Sequence, residues 1–290
     1  MPVICKLGSI KFLTVKQFSI LLIILAMNQF NLSAQQFACC HPSNQFAMFS
    51  DDAAFRASHL EPQPFQYSGK GEAVSFPAID GKDAKGFLIK AEKPTNNYLF
   101  VFHEWWGLND QIKQQAAVFQ KDLGNINVLA LDLYDGKVTA NREEAAKLMS
   151  ALDTKRAEAI ILAATKYVGK NARIFTVGWC LGGGWSLQAA LLSGKQAAGC
   201  VVYYGMPEKN VSKLKTLHAD VLGIYASKDA WITQEFVKEF DKNMKAAEKR
   251  LDIVTFEADH AFANPSNPQF DKEATEKAYQ YAVDFIKERL

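Results

Sequence analysis

Short apolar runs that alternate with longer segments of helical spacing constrain the fold of this chain more than any other feature. The runs are typical of buried strands and cover 98–102, 128–131, 174–177, 200–204, 221–225 and 253–256. Helical spacing is found at about 109–119, 141–168 with a break near residue 153, 181–192, 233–248 and 271–289. Strands that alternate with helices need crossover connections. The pattern therefore predicts an α/β fold with a mostly parallel central sheet and helices on both faces.

The N-terminal residues, before the first of these strands, have the composition of a targeting segment. Three lysines precede an apolar run at 18–27, and the small residues Ser33 and Ala34 follow it, which is typical of a cleaved signal peptide. The alternative is an uncleaved anchor, but the run is shorter than the roughly 20 residues of a membrane span. We expect an exported protein, periplasmic or secreted, without a stable membrane span once the signal is removed. Its parts are a signal peptide at 1–34, an N-terminal extension at 35–70 and one domain at 71–290.

Charge and cysteine content exclude several classes of function. The chain carries 33 basic and 31 acidic residues without a basic run, so we expect no nucleic-acid partner. Cys39, Cys40 and His41 stand together. They could form disulfides or begin a metal site, and Cys39 could carry a lipid, but no second ligand pair of zinc-like spacing follows. No glycine-rich phosphate loop and no carboxylate cluster is evident. We expect no cofactor and no metal.

A glycine-rich turn at 178–184 follows the predicted strand at 174–177 and opens a helix. Gly178 and Gly182 flank Cys180 at two residues on either side, where a Cβ atom would collide with neighbouring backbone in a sharp turn. The turn places the thiol at a helix N-terminus, whose dipole favours a thiolate. The sequence therefore predicts that Cys180 is a nucleophile, and the alternative is a buried structural cysteine.

An acid and a histidine follow the nucleophile in chain order, each just after a predicted strand. Asp229 follows the run at 221–225, and His260 follows the run at 253–256. Because the carboxyl ends of parallel strands share one edge of the sheet, we expect both beside Cys180. His260 would act as general base and Asp229 would orient it. Taken singly, each could be an ordinary turn, capping or core-edge residue. His103 precedes the nucleophile, so we interpret it as structural.

The chain from about Glu72 to its end resembles the dienelactone hydrolase family of the α/β-hydrolase superfamily. The matching segments are HEWWGLN at 103–109, DLY at 132–134, GWCLGG at 178–183, Asp229 and HAF at 260–262. The resemblance implies the α/β-hydrolase fold and hydrolysis of an ester or lactone through an acyl-enzyme. It also implies that Glu104 helps the thiol become a thiolate. The backbone N–H groups of Trp105 and Leu181 would form an oxyanion hole.

The chain departs from the family pattern in the residues that would bind the substrate. Family members that act on dienelactones hold the substrate carboxylate with two arginines, and neither is present here; Asn264 stands at one of the two positions. We therefore expect an apolar pocket and a neutral small-molecule ester or lactone as the partner of a monomeric enzyme. The predicted pocket residues are Trp106, Tyr134, Trp231, Phe262 and Asn264.

Two other classes of function compete with this prediction. A binding protein on a hydrolase scaffold would have lost one of the three reactive residues, and none is lost. A thiol redox protein would usually show a Cys-x-x-Cys motif, which this chain lacks.

Overall fold

The computed structural model describes residues 46–290. The predicted signal peptide at 1–34 and the Cys39-Cys40-His41 segment lie outside these residues. The described chain forms an eight-stranded sheet. Its strands are β1 (Glu72–Phe76), β2 (Ala84–Ile89), β3 (Asn97–Phe102), β4 (Asn127–Leu131), β5 (Arg173–Trp179), β6 (Ala197–Tyr203), β7 (Val221–Ala226) and β8 (Leu251–Phe256).

The sheet has the strand order β1-β2-β4-β3-β5-β6-β7-β8. The pairings β1–β2 and β2–β4 are antiparallel, and all the others are parallel. The predicted mostly parallel α/β architecture is therefore confirmed. Because β3 to β8 run in one direction beside each other, the residues that follow them meet at one edge of the sheet.

The six predicted strands are all present. In five of them the apolar run is mostly buried between covering layers, whereas β8, at the edge of the sheet, is only partly buried. The sequence prediction missed β1 and β2. These two strands mix exposed and buried positions and carry charged or polar residues, so no apolar run marks them.

Eight α-helices accompany the strands within residues 46–290, the first of them before β1. They are α1 (Ala53–Ser58), α2 (Asp110–Leu123), α3 (Arg142–Ser150), α4 (Thr154–Tyr167), α5 (Leu181–Leu192), α6 (Val211–Leu214), α7 (Gln234–Ala246) and α8 (Lys272–Lys287). Two 3₁₀ turns, Met48–Asp51 and Gly194–Gln196, complete the elements.

Short polar side chains explain where several helices begin. The Asn109 side chain accepts a hydrogen bond from the N–H of Ile112 at 3.0 Å, and so caps α2. Asp153 accepts one from the N–H of Lys155 at 2.8 Å, so the predicted break near residue 153 separates α3 from α4. No helix among residues 46–290 has both the length and the apolar character that a membrane crossing requires.

Candidate active site

A sharp turn joins β5 to α5 and presents Cys180. Cys180 has φ 56° and ψ −120°, a conformation that non-glycine residues rarely adopt. A Cβ added at Gly178 would collide with the carbonyl of Gly182, and one added at Gly182 would collide with the carbonyls of Phe102 and His103. The glycines therefore allow β3, β5 and α5 to approach closely enough to hold the strained cysteine in place.

His260 lies between Cys180 and Asp229. Its Nε2 is 3.5 Å from the Cys180 sulfur, and its Nδ1 is 2.7 Å from Asp229 Oδ2. The other carboxylate oxygen, Oδ1, accepts hydrogen bonds from the backbone N–H groups of Trp231 and Ile232, both at 2.9 Å. Burial acts to raise the pKa of Asp229, but His260 and these N–H donors hold it below its ordinary value. Asp229 therefore stays ionised and accepts a hydrogen bond from the Nδ1–H of His260, which leaves Nε2 directed at the sulfur.

The ring nitrogens of His103 bond to backbone groups and not to Cys180, Asp229 or His260. Its Nδ1 donates to the carbonyl of Glu104 at 2.6 Å, and its Nε2 accepts from the N–H of Leu133 at 3.1 Å. Both ring nitrogens are occupied by backbone groups. His103 thus connects the loop after β3 to the loop after β4, in the structural role that the chain order indicated.

Glu104 is buried with an exposed fraction of 8%. Its Oε2 accepts a hydrogen bond from Asn264 Nδ2 at 2.6 Å, whereas Oε1 has no hydrogen-bond partner among residues 46–290. Burial raises the pKa of Glu104 to about 7, although His260 and Asn264 act against the rise. Near neutral pH both the protonated and the ionised form of Glu104 are therefore populated.

The thiol of Cys180 is fully buried. Burial, together with the negative charge of Glu104, raises the pKa of Cys180 well above its ordinary value, and the N–H of Leu181 only partly opposes this. The helix N-terminus favours a thiolate, but burial and Glu104 act in the opposite direction in the substrate-free site, where the raised pKa corresponds to a neutral thiol. Desolvation and a neighbouring carboxylate outweigh the dipole of one helix end.

A cavity of about 290 Å³ opens beside this group, and its wall includes Glu104, Trp106, Tyr204 and Asn264. Neither Cys180 nor His260 lines it. Of the predicted pocket residues, Trp106 and Asn264 lie in the wall. The other three lie elsewhere: the Tyr134 ring packs on His103, the Trp231 ring on His260, and the Phe262 ring on Tyr204 and Phe256.

Residues 84–290 match the model of the dienelactone hydrolase family. The chain belongs to the dienelactone hydrolase family. It is 26% identical over 235 residues to Protein usf of Aquifex pyrophilus, covering 76% of this chain and 99% of that protein. It is 29% identical over 158 residues to Carboxymethylenebutenolidase 1 of Cupriavidus pinatubonensis, covering 52% of this chain and 66% of the relative.

Solved structures share the fold of this chain. A dienelactone hydrolase from Anabaena variabilis has a TM-score of 0.56 and 22% identity, over 76% of this chain and 98% of its own. A dienelactone hydrolase-like promiscuous phosphotriesterase from metagenomic libraries has a TM-score of 0.64 and 20% identity, over 76% of this chain and 99% of its own.

This dienelactone hydrolase family member carries an additional layer over the residues at the sheet edge. Residues 46–59, which lie before the family match, place the rings of Phe46 and Phe55 at 6.2 and 5.8 Å from the ring of His260. The indole N–H of Trp231 donates to Asp52 at 3.0 Å, and the Asn267 side chain donates to the carbonyl of Ser58 at 3.0 Å. The N-terminal segment therefore closes over His260 and Cys180.

The same segment brings a second histidine to the site, which the sequence patterns did not reveal. His59 is 2% exposed, and its ring lies 4.9 Å from that of Trp105 and 5.6 Å from that of His260. Burial, with a smaller effect from His260, lowers the pKa of His59 to about 3, so the ring is neutral. The aromatic residues around it in sequence indicate burial, but no local pattern points to His260 as its neighbour.

Within residues 46–290, the side chains that could jointly hold a metal ion are His59, Cys180 and His260. One nitrogen or sulfur ligand atom from each lies within 4.8 Å of the others, and all three residues are buried.

Proposed function

We propose that this hydrolase cleaves small esters or lactones through a Cys180–His260–Asp229 triad and a covalent acyl-enzyme. The observation that carries the proposal is the continuous set of contacts from the thiol through both ring nitrogens to the carboxylate. Each of the three residues follows a strand of the central sheet, and the chain belongs to the dienelactone hydrolase family. Such an arrangement suits nucleophilic acyl transfer, in which a base activates the nucleophile and an acid orients the base.

The protonation states at rest define the first step. Cys180 is a neutral thiol, because its pKa is raised by burial and by Glu104. When the substrate carbonyl reaches the sulfur, the thiol proton passes to His260 Nε2, directly or by way of Glu104, and the sulfur attacks the carbonyl carbon. We propose that the N–H groups of Trp105 and Leu181 stabilise the resulting oxyanion.

The second half of the reaction uses the same groups. The protonated His260 donates its proton to the leaving alkoxide, which leaves Cys180 as a thioester. His260 then takes a proton from a water molecule, and the hydroxide attacks the thioester carbonyl. The carbon–sulfur bond breaks to release the acid, and His260 returns its proton to the Cys180 sulfur. Asp229 remains ionised throughout and stabilises the imidazolium each time it forms.

The cavity supports a neutral substrate. Among the described residues that line it, Glu104 alone carries a formal charge, and no lysine or arginine is present. A substrate carboxylate would be buried without a partner and beside an acid, which is unfavourable. Because the cavity wall reaches Glu104 but not Cys180, entry to the thiol requires displacement of Glu104 or of residues 46–59.

Hydrolysis of p-nitrophenyl acetate, p-nitrophenyl butyrate and an aromatic lactone tests the proposal. Cys180→Ala should reduce kcat/KM by about a thousandfold or more, since loss of a nucleophile removes the covalent route. Cys200→Ala is the matched control, because Cys200 is also a buried free thiol but lies on β6 away from His260. Its activity should stay close to that of the unaltered protein.

Mass spectrometry of the rapidly quenched reaction adds a direct measurement. An acyl group on the peptide that contains Cys180 supports the covalent mechanism. An acyl group on another residue, or full activity of Cys180→Ala, would contradict it.

A further inference from the structure

Cys180 and His260 form, together with His59, a cluster of possible metal ligands that ester hydrolysis does not require. His59, Cys180 and His260 offer two imidazole nitrogens and one sulfur around a common point, with every ligand atom within 4.8 Å of the other two. Nitrogen and sulfur from histidine and cysteine are the ligands that Zn²⁺ prefers, and three of them with one open position is a common zinc arrangement. His59 reaches this point from the N-terminal segment, outside the family match at 84–290.

The two histidines are oriented as metal ligands usually are. His59 Nδ1 lies 2.7 Å from the carbonyl of Phe55, to which it donates its proton, so the lone pair is on Nε2. That Nε2 is buried and has no hydrogen-bond partner among residues 46–290. His260 donates from Nδ1 to Asp229, so its Nε2 lone pair faces the sulfur. A histidine whose second nitrogen donates to a carbonyl or carboxylate is the usual outer-shell arrangement of zinc sites.

The distances fit a tetrahedral ion with little adjustment. Bond lengths of about 2.1 Å to nitrogen and 2.3 Å to sulfur separate the two ligand atoms by about 3.6 Å in tetrahedral geometry. His260 Nε2 and Cys180 Sγ are 3.5 Å apart. The remaining separations, at most 4.8 Å, need to shorten by up to about 1.4 Å, which a shift of α1 with His59 would supply.

We propose that a thiolate-binding divalent cation, with Zn²⁺ as the probe, binds between His59, Cys180 and His260 and holds the enzyme inactive. On binding, the S–H bond of Cys180 breaks, a sulfur–metal bond forms and the proton leaves to solvent; no group is oxidised or reduced. The ion occupies the nucleophile and the lone pair of the base together. It also ties residues 46–59 to the catalytic domain through His59. The inhibitory consequence rests on the proposed function, whereas the binding site does not.

The binding experiment uses the full chain with Cys39→Ser and Cys40→Ser as the background, so that the Cys-Cys-His segment contributes no thiolate. Co²⁺ replaces Zn²⁺ as a spectroscopic probe, because a sulfur ligand gives a near-ultraviolet charge-transfer band. We expect one equivalent of Co²⁺ to produce the band in the background protein and no band after Cys180→Ala. Zn²⁺ affinity is then measured by competition with a chromophoric chelator.

The decisive comparison is between two histidine variants in that background. His59→Gln removes the ligand from the N-terminal segment, and we expect Zn²⁺ affinity to fall at least tenfold. His218→Gln is the matched control, since His218 is exposed and lies outside the cluster, and its affinity should be unchanged. Equal affinity in the His59→Gln and control variants, or a cobalt spectrum without the thiolate band, would overturn the proposed site.

Two further readouts separate the failure of this proposal from the failure of the proposed function. Zn²⁺ should inhibit ester hydrolysis reversibly, and the inhibition constant of His59→Gln, relative to its own metal-free rate, should be at least tenfold weaker. Zn²⁺ should also slow proteolytic cleavage within residues 46–59 in the background protein but not in Cys180→Ala. If the protein binds Zn²⁺ through these ligands yet hydrolyses no ester, the metal site stands and the hydrolytic proposal fails. If it hydrolyses esters but shows neither the thiolate band nor protection, the metal site fails and the hydrolytic proposal stands.

Discussion

Replacing Glu104 with glutamine should make the stability of the protein less dependent on pH. Glu104 is 8% exposed, and burial raises its pKa from the ordinary 4.5 to about 7. Such a rise corresponds to about 3 kcal/mol of folding free energy at 25 °C. Glutamine cannot ionise, but its carbonyl oxygen can still accept the hydrogen bond from Asn264 Nδ2.

The sign follows from which state holds the proton more tightly. Below about pH 4.5 the carboxyl is protonated in both the folded and the unfolded protein, so its pKa shift carries no free-energy penalty. Between about 4.5 and 7 the unfolded chain has lost the proton while the folded protein keeps it, and the stability falls as the pH rises. Above about pH 7 the carboxyl is ionised in both states, and the full penalty is present. The stability of Glu104→Gln relative to the unaltered protein should therefore increase by about 3 kcal/mol from pH 4.5 to pH 8.

Urea unfolding of both proteins at a series of pH values measures this difference, with EDTA present throughout. With a urea m-value of about 3 kcal/mol/M, the two midpoints should separate by about 1 M more at pH 8 than at pH 4.5. Glu61→Gln, a change at an exposed carboxylate, is the control for an altered surface charge. A stability difference between Glu104→Gln and the unaltered protein that is constant with pH would refute the reasoning that burial controls this carboxyl.

The remaining predictions concern the nucleophile, the substrate and the export of the chain. Cys180→Ser should lose most of its kcat with an unchanged circular dichroism spectrum, because a hydroxyl is harder to deprotonate than a thiol in this buried site; comparable activity would show that sulfur is not essential. For two esters that differ only in a free carboxylate, kcat/KM should favour the neutral one by about tenfold or more, since no basic group lines the described cavity wall. A preference for the carboxylate would mean that a basic group from elsewhere reaches the pocket. Expression in a Gram-negative host followed by mass spectrometry should find an exported chain that begins near Gln35, and an intact Met1 in the cytoplasmic fraction would contradict this. Size-exclusion chromatography with light scattering should give a monomer mass, and a stable dimer would refute that expectation.

Local patterns in the sequence were sufficient for the central part of the fold. Five of the six predicted strands were predictable because a strand buried on both faces must be apolar at nearly every position. The edge strand β8 is partly exposed and was indicated by the apolar run at 253–256. The helix starts at Asp110 and Thr154 were predictable because Asn109 and Asp153 cap them through bonds that span only two or three residues. The positions of Cys180, Asp229 and His260 after their strands were predictable for the same reason, since one rule on parallel sheets brings such residues to one edge.

The antiparallel strands β1 and β2 were not predictable in this way. Their residues are partly exposed at one side of the sheet, so they lack the apolar run that marks the central strands. What makes them strands is pairing with each other and with β4, which is a contact between distant parts of the chain. The same limit applies to Asn264, whose bond to Glu104 joins residues 160 positions apart.

Protonation states and the additional histidine were decided by tertiary structure alone. The helix start after the glycine turn favours a thiolate at Cys180, but the fully buried sulfur beside Glu104 has a raised pKa, because solvation depends on everything packed around the group. His59 lies in a segment whose apolar residues show no regular spacing, and no motif near it in the sequence predicts that it reaches the edge of the sheet. Its place beside Cys180 and His260 results from the packing of Phe46 and Phe55 over that edge. The sequence by itself determined which reactive groups follow which strands, because that depends on local periodicity and chain order. Their protonation, their cover and their additional neighbour depend on burial and on distant contacts, which only the folded chain contains.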